Sequence, residues 1–287
     1  MRSSILRPSF VVLAALLAGA AETPAVELYL KASGGFVRSR FGDIDQARKD
    51  WSAGWQAFVG DSPGWGFEQT GRLRQSSCTS FGGELLAKFG GRWGVGLGWG
   101  LLYSNFVDHD GPLYVQKPAA TIEYMFPTKI AAYPVYLFGE YSIIFGKAWE
   151  TYLRAGMGLV PAKYVHREKF RHLKDELPGV SLTELASAGG SLLLAGAGVR
   201  FPADAALSLF AEAGYVLALV GSFEGNLGGE TRGRLYFFQE YDSALDFWQT
   251  KIRLLAEEPA GLAYRAVRKA SIDFRGFSLR AGLMMAF

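Results

Sequence analysis

The chain is 287 residues long and carries a formal net charge of +3 at pH 7. That balance lacks the basic footprint of a nucleic-acid binder and points to no strongly acidic partner. Its single cysteine excludes an internal disulfide, and beyond the N-terminal segment no run approaches the ~18 apolar residues of a membrane-crossing helix.

Arg2 and Arg7 precede the apolar run Phe10–Ala18, and small residues follow through Ala20 and Ala21 before Glu22 and Pro24. A charged start, a short apolar run and a small-residue site predict a secretory signal peptide over 1–21, cleaved after Ala20 or Ala21. About ten apolar residues are too few for a retained anchor, which needs ~20. Cys78 lies far from that site, so it is no lipoprotein anchor and reads as a thiol without a role.

Residues 22–287 contain no Pro- or Ser-rich linker and no fixed-period repeat, which predicts one domain. Alternating segments predict strands at about 26–38, 80–89, 93–104, 129–145, 149–164, 190–201, 207–220 and 272–287. Each meets the ~9–11 residues that a tilted strand needs to cross a bilayer. The predicted fold is therefore all-β: an eight-stranded antiparallel transmembrane barrel.

Three tight turns join strands on one side: Phe89-Gly-Gly-Arg-Trp93, Phe145-Gly-Lys-Ala-Trp149 and the segment from Phe201 to Ala206. They put Phe89, Trp93, Phe145, Trp149, Phe201 and the terminal Phe287 at one level, an expected aromatic belt. The four connections on the other side, 39–79, 105–128, 165–189 and 221–271, are long and polar. Long loops between compact elements usually carry function. Within them 119–126 reads as a loop hairpin or an extension of the fourth strand; as an independent strand it opens a ten-stranded alternative. Residues 182–188 and 242–258 read as short helices, the second from the spacing of Leu245, Trp248, Ile252 and Leu255.

Barrel strands alternate lipid-facing and lumen-facing residues, so strand charges must point inward. Val95, Leu97, Trp99 and Leu101 share one face, opposite Gly94, Gly96, Gly98 and Gly100. The same parity collects Lys31, Glu84, Lys88, Glu140, Arg154, Arg200, Glu212 and Arg280 in the lumen. Lys163 falls outward, at a loop end where its stem can snorkel. Counting from the turns sets Glu140 opposite Arg154, Lys88 opposite Gly94, Glu84 opposite Gly98 and Glu212 opposite Gly196. Facing opposite charges attract across strands. In so narrow a barrel this cluster reads as a salt-bridge plug in preference to an ion pathway.

The sequence predicts no catalytic, cofactor or metal site. Asp108-His109-Asp110 is a weak metal pattern and reads as solvated loop charge. Tyr164, His166 and Glu168 form the best enzyme candidate, but nucleophile, base and orienter cannot all be named.

The alternation of Phe277, Leu279, Leu283, Met285 and Phe287, with Tyr152-Leu-Arg-Ala-Gly-Met-Gly-Leu159 and Leu209-Phe-Ala-Glu-Ala-Gly-Tyr215, resembles small OmpA/OmpX-like bacterial outer-membrane barrels. In that family the terminal strand serves as an assembly signal. The resemblance covers the strands and implies outer-membrane lipid as surroundings, with periplasmic chaperones and the barrel-assembly machinery as partners during biogenesis. It also implies a monomer without a periplasmic domain, whose loops meet a surface ligand or host partner. The expected role is structural or surface interaction; alternatives are a small pore or transport channel and, less favoured, a lipid-modifying or proteolytic enzyme.

Overall fold

A computed structural model of the protein describes residues 26–69, 77–105, 113–116, 121–125, 128–145, 148–172, 180–226, 232–243 and 246–287. The predicted signal peptide therefore lies outside the described residues. In chain order the elements are β1 (Val26–Ser39), α1 (Asp43–Asp61), β2 (Gly66–Gln69), β3 (Cys78–Phe89), β4 (Trp93–Asn105), β5 (Leu113–Gln116), β6 (Thr121–Met125), β7 (Thr128–Ala132), β8 (Val135–Phe145) and β9 (Glu150–Leu159). They continue as β10 (Ala162–His172), β11 (Val180–Ala188), β12 (Gly190–Pro202), β13 (Leu207–Gly221), β14 (Glu224–Asn226), β15 (Arg232–Asp242), β16 (Phe247–Leu255), β17 (Tyr264–Lys269), β18 (Ser271–Asp273) and β19 (Gly276–Ala286).

Eight of these close a ring. β1 pairs with β3, β3 with β4, β4 with β8, β8 with β9, β9 with β12, β12 with β13 and β13 with β19, all antiparallel. β19 returns to β1, with Met284 opposite Lys31 and Gly276 opposite Ser39. Closure removes the free edges that an open sheet of this length would expose. The fold is an eight-stranded antiparallel barrel.

Its outer face is apolar. Leu28, Leu85, Leu97, Leu137, Leu153, Met157, Leu193, Leu209, Leu217 and Leu283 are all exposed. Soluble proteins rarely expose so continuous an apolar surface, whereas a bilayer requires one. Arg38, Lys129 and Lys163 are exposed at the loop-side ends of their strands, and Trp93, Trp149, Phe201 and Phe287 at the turn side. Phe89 is half-buried; the side chain of Phe145 lies outside the described set.

Three predicted strands are each two. Pro134 and Pro161 lack the N–H that a ladder needs, and they separate β7 from β8 and β9 from β10. The two breaks are neighbours, because the Tyr133 N–H donates to the Pro161 carbonyl at 2.8 Å. A third break, at Phe274 and Arg275, separates β18 from β19.

Beyond the breaks the loops are built structure. Residues 182–188 lie in β11 and 242–258 contains β16, so neither is a helix. In β16 the decisive period is two: Trp248, Thr250, Ile252 and Leu254 stand opposite Tyr241, Gln239, Phe237 and Leu235 on β15. Pairing along a whole strand outweighs a few apolar residues at helical spacing. Residues 121–125 form the second arm of a β5–β6 hairpin, as the loop-hairpin reading expects, and β6 also pairs with β10.

The helix lies elsewhere, at α1. Ile44, Ala47, Trp51, Trp55 and Phe58 recur every three or four residues, which makes one apolar face. That face lies on β16: Trp55 is buried with its ring 5.6 Å from that of Phe247, and Phe58 stacks on Phe247 at 5.6 Å. The Asp45 carboxylate accepts the Phe41 N–H at 3.1 Å, satisfying a donor ahead of the first turn. Asp43 ties the helix to the far side, accepting from Arg268 at 2.7 Å and from the Ser271 N–H at 2.8 Å.

The interior has two layers. Toward the turns it is charged. Toward the loops it is apolar, with Val37, Leu102, Ile130, Val160, Leu192, Ala218, Val220, Phe223, Ile272 and Phe274 packed together. Cys78 is buried at this level, 3.9 Å from the Ser39 hydroxyl.

Candidate functional site: the ion layer

The charged layer is assembled by strand parity. Lys31 on β1, Glu84 and Lys88 on β3, Glu140 on β8, Arg154 on β9, Arg200 on β12 and Glu212 on β13 are all buried, and Arg280 on β19 joins them half-buried. The structure thus brings together all eight residues singled out by parity. It adds a ninth, Glu150, which sequence reading misses. Glu150 shares its parity with Arg154, four residues on, so the signal was present at the first residue of its strand.

The contacts run across the barrel. Lys31 Nζ lies 3.0 Å from Glu212, 3.2 Å from Glu140 and 3.6 Å from Glu84. Arg154 forks between Glu84 and Glu212, at 2.9 Å to each. Arg280 bonds Glu84 at 3.1 Å and also reaches Glu212. Below them Arg200 bridges Glu140 at 2.5 Å and Glu150 at 2.7 Å, and Lys88 meets Glu150 at 2.6 Å. Two phenols complete the set: Tyr136 donates to Glu84 at 2.6 Å and Tyr152 to Glu212 at 2.8 Å.

One register expectation holds without the ion pair it suggested, and one needs correction. Glu140 and Arg154 are directly opposite, yet they bond other partners. Cross-strand neighbours lie side by side, whereas long charged side chains here reach across the lumen to where two partners converge. Glu212 stands opposite Gly198, with Gly196 opposite Gly214. The turn explains the shift: the Asp204 carboxylate accepts the N–H groups of Ala206 and Leu207 at 2.7 and 2.8 Å, so pairing resumes at Pro202 and Ser208. Lys88 opposite Gly94 and Glu84 opposite Gly98 are as counted.

The layer offers ion pairing rather than covalent chemistry. Its carboxylates are engaged by cations, its phenols donate to carboxylates, and it contains no histidine or thiol. Rings flank the cations: Lys31 lies 4.9 Å from the Phe210 centroid, and the Arg154 guanidinium 4.3 Å from Phe138.

The Tyr164, His166, Glu168 candidate lies in β10, on the loop side of the Pro161 break. His166 Nδ1 is 2.8 Å from the Thr128 hydroxyl, and its ring stacks on Tyr164 with centroids 6.1 Å apart. Glu184 stands opposite on β11, but its carboxylate accepts the Leu254 N–H at 3.2 Å and lies 3.9 Å from Arg253. The side chain of Glu168, and all of 108–110, lie outside the described residues. Burial, with Arg253 nearby, pushes the His166 pKa down to about 4. The unfolded chain, titrating near the ordinary value of ~6.5, therefore takes up the proton first as pH falls. The stabilisation from a neutral His166 is complete above pH ~6.5 and is lost as pH falls toward 4. Urea unfolding at pH 7 and pH 4.5 should show His166→Gln losing less stability on acidification than the parent, by about 2–3 kcal/mol. Equal losses would refute this account of His166.

No protein-family profile and no curated protein sequence matches the chain. Among solved structures, the outer membrane protein OprG from Pseudomonas aeruginosa is similar at 13% identity and a TM-score of 0.41, over 92% of this chain and 97% of that one. The architecture rests on the strand pairings of this chain.

Proposed function

We propose that the protein resides in a bacterial outer membrane, exported by the 1–21 signal, and serves a structural or surface-interaction role through its loop-side elements. The observation that carries the reading is the filled interior. Nine interlinked charged residues cross the lumen beneath a packed apolar layer, inside a barrel whose exterior is apolar. A ring of eight strands has little room beyond its own side chains. The α1 helix and the β15–β16 hairpin, joined by Trp55, Phe58 and Phe247, supply the surface for a partner. The reading assigns no catalytic residue and no cofactor. Phe277, Leu279, Leu283, Met285 and Phe287 form the assembly signal, exposed along the outside of β19.

Planar-bilayer recording on the refolded chain tests the closed lumen. The expected result is no steady conductance. A steady conductance that rises in Glu140→Gln or Arg154→Gln would instead make the barrel a small pore.

A further inference from the structure

A cavity of about 60 Å³ lies between the two interior layers. Its lining includes Arg154, Glu212, Arg280 and Tyr136 from the ion layer and Val37, Leu102, Leu192, Leu194 and Val216 from the apolar layer. A water needs ~10–15 Å³ by the same measure, so the space takes several waters or one small solute.

The charges beside it do not balance. Arg200 and Lys88 are matched by Glu140 and Glu150, which form a neutral block toward the turns. The block facing the cavity has three cations, Lys31, Arg154 and Arg280, around two carboxylates, Glu84 and Glu212. Glu140 also touches Lys31 at 3.2 Å, but its other oxygen lies closer to Arg200, at 2.5 Å. One positive charge is left among largely buried groups, where an uncompensated charge is costly.

The accessible donors converge on the cavity. Arg280 keeps 16% of its side chain accessible, against 1% for Lys31 and 2% for Arg154. Ser80 and Ser278 line the same space and are 7% and 9% exposed, and neither hydroxyl has a hydrogen-bond partner among the described residues. They stand on β3 and β19, the two strands that flank β1.

We propose that this cavity binds one small monovalent anion, a halide or a carboxylate the size of formate or acetate, held by Arg280 and the hydroxyls of Ser80 and Ser278. A dianion would overshoot the single surplus charge and press against Glu212. A cation would meet the wrong sign.

The test is to refold the full chain in chloride, bromide, acetate or gluconate at equal ionic strength and measure urea unfolding. Gluconate is too large to enter and controls for screening. The expected result is a saturable stabilisation by at least one small anion, the unfolding constant falling about tenfold for each tenfold rise above its Kd. The bromide and acetate arms separate halide from carboxylate. Arg280→Gln should abolish the dependence. The double variant Ser80→Ala, Ser278→Ala leaves the ion pairs intact and should weaken it, which keeps the test usable if Arg280→Gln fails to fold. Bromide-soaked crystals should show an anomalous peak beside Arg280. An unfolding midpoint that responds to gluconate as it does to chloride and acetate, or to none of them, means the cavity holds water only and overturns the proposal. That outcome leaves the conductance reading untouched.

Discussion

Replacing Glu212 with leucine should destabilise the folded barrel by about 3–5 kcal/mol, the range for breaking a buried ion network from one side. Lys31 and Arg154 keep 1% and 2% of their side chains accessible and both bond Glu212. Arg280 and the Tyr152 hydroxyl bond it as well. Without the carboxylate, four donors converge on an apolar group and like charges lose their separator. Glu212→Gln should cost less, because the amide oxygen still accepts. The control is Glu224→Ala, whose partner Arg234 is 3.4 Å away with both side chains about half exposed; an exposed pair contributes ~1 kcal/mol at most. Urea titrations in detergent micelles compare all three. A Glu212→Leu loss as small as that of the control would sink the view that the ion layer supports the fold.

A second large effect is expected at Gly198. The Tyr152 ring lies across this residue, so a Cβ built on it falls 2.5 Å from the phenol oxygen and closer still to a ring carbon. Tyr152 is fully buried beside Lys31 and Arg200, with ring-centroid distances of 5.0 and 4.8 Å, and has nowhere to retreat. Gly198→Ala should therefore cost about 2–3 kcal/mol by overpacking. Clearing the ring in a Tyr152→Leu background should make the same change nearly neutral, a non-additivity expected of touching residues. Equal costs in the two backgrounds would show that the ring is not the obstacle.

The inward residues of the turn-side half were legible because lipid imposes a strict rule. Outward positions must be apolar, so every strand charge is forced inside, and parity alone assembles Lys31, Glu84, Arg154, Glu212 and Arg280. Who bonds whom was not legible, since Arg154 passes over its neighbour Glu140 to reach Glu84 and Glu212 across the lumen. The loop-side half was harder. Leu101-Leu102, Leu192-Leu193-Leu194 and Val216-Leu217 are apolar on both faces, so alternation no longer separates lipid from interior. The α1 helix was hidden differently: Trp55 and Phe58 on its apolar face find their partner, Phe247, about two-thirds of the chain away. A bulge between Ser142 and Ile144 also shifts the parity of the last residues of β8.

The proline breaks at Pro134 and Pro161 divide the wall of the barrel into two tiers. Below them the ladder is continuous and carries the ion layer; above them β7, β10 and β11 pair again, with β7 still joined to the unbroken strand β4. Substitutions at distant sites with no shared partners combine additively. Lineages descended from such a chain can therefore reshape the rim, lengthening hairpins or exchanging whole loops, while the ionic tier beneath stays under its own selection. The same seam offers protein engineers a natural place to graft foreign binding loops onto a stable base.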